Sequence, residues 1–506
     1  MSEKNWIINF LNFLFLSFWI LLLSIFIFLL VKYSNAGHSD KSILIIIFSF
    51  YLFNLIFIVF ILLQERNIDA KFSWVFIIIF MPFLGQILFL IFGRKYKTRI
   101  SEKKYLKLAK VYSNKNTIKK NNKFSHLEPY FQKISSTFKT EANFFKQETI
   151  FNGYEFYKKL LNDLKNAKKV IYIEVFIIKD DFIWNKIKNI LIDKAKNGVE
   201  IKLILDWWGT IKIKSKDWKL LKKANIKFIR YNKIIFPFIS SSSFYRIHKK
   251  IFIIDSSISY IGGNNISDEY ANFSSKYGFW FDTNLRMEGK ITQDLMFSFI
   301  NDWNRWHKDK IENIENYFYK QEINEEDNYG IVFEGGPQID VSLLESALIQ
   351  MIYNAKEKIK IFTPYFVPTT RIFLALKESL ISGKKIEIYI PEKYDKNYVK
   401  PFTLYFAKQL EEYGAKIYKY KNSFSHSKTI IFDDQIAYTG TMNLDIRSLY
   451  SQFEINILLS GEFVDSFLKN IEYRKEKRII LSTSLLSNKK INFFKKIFIE
   501  IFKPLL

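Results

Sequence analysis

The chain has 506 residues, of which 49% are hydrophobic and 25% charged, and a formal net charge of +26. It holds no cysteine, which excludes disulfides, thiolate catalysis and cysteine-held zinc. An excess of Lys and Arg this large predicts an anionic partner, nucleic acid or an acidic membrane surface, although a bias toward Lys, Ile, Asn, Phe and Tyr suits an AT-rich coding sequence and discounts charge as a functional signal.

No charged residue stands between Lys4 and Lys32, between Lys41 and Glu65, or between Lys71 and Arg94. Each gap exceeds the roughly 20 apolar residues a helix needs to cross the hydrocarbon core, so residues 1–96 are expected to form an anchor of three transmembrane helices. Pro82 and Gly85 in the third are tolerated in such helices. The first stretch is too long for the core of a cleaved signal peptide, roughly 7–15 residues. Basic residues crowd the chain after Arg94 (Lys95, Lys97, Arg99, Lys103, Lys104, Lys107, Lys110). That end is therefore expected in the cytoplasm and, with three spans, the N-terminus outside. Residues 97–138 read as a solvated basic linker beside anionic headgroups.

From about residue 139 short strands alternate with helices. Strands are expected at 170–178, 200–206, 248–254, 258–261 and 280–288, and helices at 184–197 and 292–306. The same order returns later, with a helix near 341–355, strands at 359–362, 426–432, 436–438 and 453–459, and a closing helix at 462–475. This is an internal duplication of an α/β unit, with pseudo-symmetric halves at 139–322 and 323–488. The tail, 489–506, places Ile491, Phe494, Phe498 and Ile501 at helical spacing with Lys489, Lys496 and Lys503 elsewhere on the wheel. Such a basic amphipathic helix either lies in a membrane interface or packs on the protein's own core.

Two of the five histidines share one setting, His248-x-Lys250-x4-Asp255 and His426-x-Lys428-x4-Asp433. On an extended chain residues i and i+2 face the same side, so each His points with its Lys, and two ammonium groups can hold the charge of a phosphodiester. Asp255 and Asp433 fall at a turn with opposite parity, which favours a structural role within the motif. After each hairpin come Gly262-Gly263-Asn264-Asn265 and Gly440-Thr441-Met442-Asn443. Their glycines allow close backbone approach, and Asn265, Thr441 and Asn443 can donate to phosphoryl oxygens. No His/carboxylate cluster has a recognisable metal-binding spacing, so no metal or other cofactor is expected.

With these residues the chain resembles the phospholipase D superfamily, and most closely the bacterial cardiolipin synthases. The likeness extends to Ser73–Arg94, to Gly262-Gly263-x-Asn265-Ile266-x-Asp268-Glu269-Tyr270, to Trp280-x-Asp282-Thr283, to Thr363-Pro364-Tyr365-Phe366-Val367-Pro368, to Gly440-Thr441-x-Asn443-Leu444-Asp445-x-Arg447-Ser448, to Phe453-Glu454 and to Pro504-Leu505-Leu506. It departs from the family in an extra first apolar segment, in Ile247 and Ser267, and in Trp207-Trp208. The resemblance implies a duplicated phospholipase D-type α/β sandwich behind membrane helices. It implies attack by one His on phosphorus, with the other His as acid and base. His248 is matched to the nucleophile and His426 to the acid/base, although the sequence itself does not break that symmetry. Glu454 is expected to orient His426 and Asp282 to orient His248. The implied reaction joins two phosphatidylglycerols into cardiolipin and glycerol, with anionic membrane lipids as partners and no nucleic acid. The alternatives are a hydrolytic phospholipase D or another phosphatidyltransferase and, from charge alone, a membrane-tethered nuclease.

Overall fold

A computed structural model describes residues 28, 31–32, 40–64, 66–93, 125–138, 140–235, 241–312, 328–337, 342–481 and 492–506. The first apolar segment but for Phe28 and Val31, the basic run after Arg94, and residues 97–124 of the expected linker lie outside them. The chain divides into two compact units, one of residues 1–99, 233–245 and 491–505, the other of residues 100–232 and 246–490 with Leu506.

In the first unit, helix Asp40–Leu62 covers most of the second apolar segment. Among the described residues no helix is long and apolar enough to cross a membrane. The third segment departs from expectation. It breaks at Met81–Phe83 into helices Ile68–Phe80 and Leu84–Leu88, with Phe83 forced to a φ of 64°. The second arm folds back on the first: a Cβ at Gly85 would lie 2.8 Å from the Ile77 carbonyl oxygen, so only glycine permits the approach. The hairpin closes where Arg66 donates to the carbonyl of Gly93 at 2.7 Å. Trp74 packs edge-on against Phe89, and Gln86 donates to Asn54 at 2.8 Å in the interior. Both ends of this segment therefore meet, as the ends of a single span would not. Helix Phe493–Phe502 packs on Ile68–Phe80, with Lys503 paired to buried Asp69 at 3.0 Å. It buries Ile499 and Ile501 and leaves Phe493, Phe494 and Phe498 exposed.

The second unit is the duplicated α/β body. In its first half, parallel strands Lys227–Tyr231, Glu200–Asp206 and Val170–Val175 continue into antiparallel strands Ile251–Ile254, Ile258–Gly262, Phe279–Gly289 and Asn143–Asn152. The second half repeats this with Lys416–Tyr420, Lys385–Pro391, Lys358–Phe362, Thr429–Phe432, Ile436–Gly440, Gln452–Gly461 and Asn328–Gly335. The two sheets join where Asn143–Asn152 pairs with Asn328–Gly335. Inner strands such as Ile251–Ile254 are apolar throughout because both faces are covered. Helices Lys290–Trp306 and Glu462–Lys477 put Phe299, Trp303, Phe463 and Phe467 into one core shared by both halves.

Three sequence expectations change here. Residues 128–138 are no linker but a helix, Glu128–Phe138, because Tyr130, Phe131, Ile134 and Phe138 form one buried face. Strands Asn143–Asn152 and Asn328–Gly335, which sequence reading left out, form the seam of the body. The strands expected to begin at His248 and His426 begin instead at Ile251 and Thr429. The motif segments are held by the opposite half: the His248 amide donates to the Phe453 carbonyl at 2.9 Å and the His426 amide to that of Phe281 at 2.6 Å.

Candidate active site

Each motif histidine is positioned by a strand of the other half. Gln452–Phe453 runs parallel to Arg246–Ile247, with Phe453 in register with Ile247. The next residue, Glu454, therefore meets His248, Oε1 to Nδ1 at 2.8 Å. Ser423–Ser425 runs parallel to Phe279–Phe281, with Ser425 in register with Phe281, so Asp282 meets His426, Oδ2 to Nδ1 at 2.7 Å. The orienting partners are thus exchanged relative to expectation. Pairing in sequence order assumed that each half completes its own site, whereas the parallel pairings lend a strand across the halves. All four side chains are buried. In its ionised form a carboxylate on Nδ1 selects the tautomer with its proton there and leaves each Nε2 lone pair for chemistry; burial pushes Glu454 up to about 8, and Lys250 and the Thr441 hydroxyl pull it back toward the charged form.

The alternation of side chains holds although these residues lie outside regular strand. Lys250 and Lys428 each fold back to the carbonyl of their own histidine at 2.5 Å. Lys249 points the other way, into a buried cluster with Ser298 (2.9 Å), Asp302 (2.6 Å) and Glu334 (2.5 Å). Burial pushes Lys250 down to about 7 and Lys428 down to about 8. An anion between them restores the charged form of both. The histidines differ. His248 is pushed well below its ordinary value by burial and then by Lys250, Lys428, His426 and Lys396, all in one direction. His426 falls to about 4 through burial and Lys428, but Asp282 and Asp395 oppose the fall. His248 is held neutral and His426 retains a proton more readily.

The other predicted residues divide. Asp255 accepts from the backbone amides of Lys168, Lys169 and Val170 at 2.7–3.0 Å, and Asp433 from those of Lys356, Glu357 and Lys358 at 2.8–3.0 Å. Both fasten the hairpin turn to the start of a neighbouring strand. Asn265 was expected to donate to phosphate, but its amide is spent on the Ile177 N–H (3.0 Å) and the Tyr270 hydroxyl (2.8 Å). Thr441 was expected there too, yet its hydroxyl donates to Glu454 at 2.5 Å and so braces the His248 pair. Asn443 is buried, and among the described residues its amide oxygen has no partner; that atom accepts, so it suits a hydroxyl and not a phosphoryl oxygen. Sequence reading missed Asp395 and Lys396, which no motif contains. Among the described residues no three His, Asp or Glu side chains are grouped to hold a metal ion.

A family model for the PLD-like domain of cardiolipin synthase matches residues 160–303 and 348–474. A cardiolipin synthase of Oceanobacillus iheyensis is 34% identical over 70% of this chain and 74% of its own length, and the major cardiolipin synthase of Bacillus subtilis is 34% identical over 64% and 68%. The chain belongs to the cardiolipin synthase family. A second model, for the N-terminal region of phospholipase D-nucleases, matches residues 52–94, the apolar hairpin and the end of the helix before it. The crystal structure of phosphatidylserine synthase from Haemophilus influenzae is similar in fold, with a TM-score of 0.56 at 16% identity over 75% of this chain and 99% of that one. The cardiolipin synthase family fold thus accounts for the duplicated α/β body.

Proposed function

We propose that this chain is a membrane-bound phosphatidyltransferase that makes cardiolipin and glycerol from two phosphatidylglycerols. The observation that carries the reading is the pair of crossed, buried histidine–carboxylate contacts, each beside a lysine. The donor phosphodiester lies between Lys250 and Lys428. His248 Nε2 attacks phosphorus, and the bond to the leaving glycerol oxygen breaks as His426 gives that oxygen a proton. The headgroup hydroxyl of a second phosphatidylglycerol then loses its proton to His426 and attacks phosphorus. The P–N bond breaks and His248 is restored. The lysines neutralise charge that builds on the non-bridging oxygens. The test is purified protein with labelled phosphatidylglycerol and chromatography of the products. Cardiolipin and glycerol in equal amounts are expected; phosphatidic acid alone, or DNA cleavage without lipid turnover, would displace the reading.

The first unit is the membrane anchor in this reading. Phe48, Tyr51, Leu55, Ile56, Phe60, Phe72, Ile79 and Phe80 are all exposed, an apolar surface suited to acyl chains. The Lys run after Arg94 favours a cytoplasmic catalytic body. With the third segment folded back, two crossings remain, and the N-terminus falls on the same side. Single cysteines at Ser2 and Ser101 should both react with an impermeant reagent only after cells are opened. Labelling of Ser101→Cys in intact cells would reverse the orientation, and labelling of Ser2→Cys alone would restore the third crossing.

A further inference from the structure

Joining two phosphatidylglycerols brings two phosphodiesters to one site, and the motif residues serve only the one that reacts. We propose that Lys396 and Arg447 hold the phosphodiester of the acceptor lipid, a reading that rests on the transfer reaction above.

Lys396 lies in the segment that follows strand Lys385–Pro391, at the end of the sheet where the motif histidines sit. That segment is pinned beside the chain leading into His426: Lys393 N–H donates to the Ser423 carbonyl at 3.2 Å, and Asn422 N–H to the Glu392 carboxylate at 2.6 Å. The Lys396 ammonium stands 5.3 Å from the centroid of the Tyr365 ring, whose hydroxyl donates to Asp395 at 2.6 Å. Lys396 is exposed, and its charge is felt at His248, Lys250 and Asp445. Arg447 approaches Asp445 as well, and its Nε is buried without a hydrogen-bond partner. The Arg447 segment is joined to the segment of Tyr365, against whose ring Lys396 lies, by Val367 N–H on the Leu444 carbonyl at 3.0 Å and Leu444 N–H on Thr363 Oγ1 at 3.3 Å.

Two side-chain carboxylates face the same region, and the Leu506 main-chain oxygen accepts from the Arg447 N–H at 2.6 Å. Asp395 is engaged by the Tyr365 hydroxyl, and Asp445 caps helix Ile446–Tyr450 through Ser448 N–H at 2.7 Å. Both accept hydrogen bonds within the protein, while the Lys396 ammonium lies against the Tyr365 ring and, among the described residues, the Arg447 Nε has no hydrogen-bond partner. Only three carbons of headgroup glycerol separate the attacking hydroxyl from the acceptor's phosphate ester oxygen. The cation for that phosphate must therefore lie beside the reacting centre and outside the space between Lys250 and Lys428, as Lys396 does.

The experiment sets two acceptors against each other, phosphatidylglycerol and ethanol, in mixed micelles with the purified full chain. Ethanol carries no phosphate. Lys396→Ala and Arg447→Ala should each lower the ratio of cardiolipin to phosphatidylethanol by about tenfold, the worth of a hydrogen bond to a charged group. Lys396→Arg should recover most of that ratio. An unchanged ratio in the Lys396→Ala enzyme, or a parallel fall of both products, would overturn the assignment. A wild-type enzyme that makes phosphatidylethanol and never cardiolipin would instead sink the function on which it rests.

Discussion

His248→Ala should form no covalent adduct and lose about 10⁴–10⁶-fold in turnover, while His426→Ala should still carry phosphatidyl on His248. The two fail differently because only one of them bonds to phosphorus. His248 is the better nucleophile on electrostatic grounds: burial and the charges of Lys250, Lys428 and Lys396 favour its neutral form. His426 has Asp282 and Asp395 working against its burial, and the donor's own negative charge adds to them. It is the group that can enter the first step protonated. General acid catalysis contributes roughly 10²–10⁴-fold, so a donor with an already acidic leaving alcohol should recover part of the His426→Ala loss and none of the His248→Ala loss. The trapped species should be acid-labile and base-stable, as a phosphoramidate is. Mass spectrometry of the quenched His426→Ala enzyme should find the added mass on the peptide containing His248. Mass on the His426 peptide of the His248→Ala enzyme would exchange the roles, and normal turnover in either variant would remove the mechanism.

Much of this site is legible in sequence because its signals are local. The i, i+2 spacing of His248 and Lys250 states their common face, and the structure bears this out even though neither residue lies in regular strand. The repeat of the motif at His426 carries the duplication with it. What the sequence does not state is which residue in one half reaches the other. Glu454 meets His248 across 206 positions and Asp282 meets His426 across 144. Both contacts follow from a register between parallel segments that no local pattern encodes. Asn265 misleads for a related reason, since its amide is consumed by Ile177, 88 positions away. Lys396 carries no motif, and only the folding of its loop beside Ser423 brings it near the site. In the first unit the apolar run 72–93 has the length of a span, but Pro82 and Phe83 break it. Gly85 then allows the arms to touch, which length alone cannot reveal.

The crossed pairing has its own consequence, because each carboxylate should fail with the histidine of the opposite half. Glu454→Gln keeps the size of the side chain and removes its charge. Its amide can then donate to His248 Nδ1, which moves the ring proton to Nε2 and takes away the lone pair that attacks phosphorus. The loss should approach about 10³–10⁴-fold, the scale set when a catalytic histidine is held in the wrong tautomer. Adduct should fail to form even from a donor with an acidic leaving group, as in His248→Ala. Asp282→Asn disturbs His426 instead, so adduct should still form on His248 from the activated donor. Thr441→Val should act through Glu454 and also removes the hydrogen bond that its hydroxyl accepts from Ile455 N–H at 3.0 Å. It removes the 2.5 Å hydrogen bond to Oε2 and should lower adduct formation by about tenfold, the cost of one hydrogen bond to a charged group. In the first half the brace is a main-chain one: Asp282 Oδ1 accepts from Thr283 N–H at 2.8 Å, and at Gly263 a Cβ would already lie 2.2 Å from the Asp282 carboxylate. Pairing in sequence order makes the opposite forecast: Asp282→Asn would abolish the adduct, and Glu454→Gln would be rescued by the activated donor. Single-turnover adduct yields for the two variants, measured with both donors, decide between the arrangements.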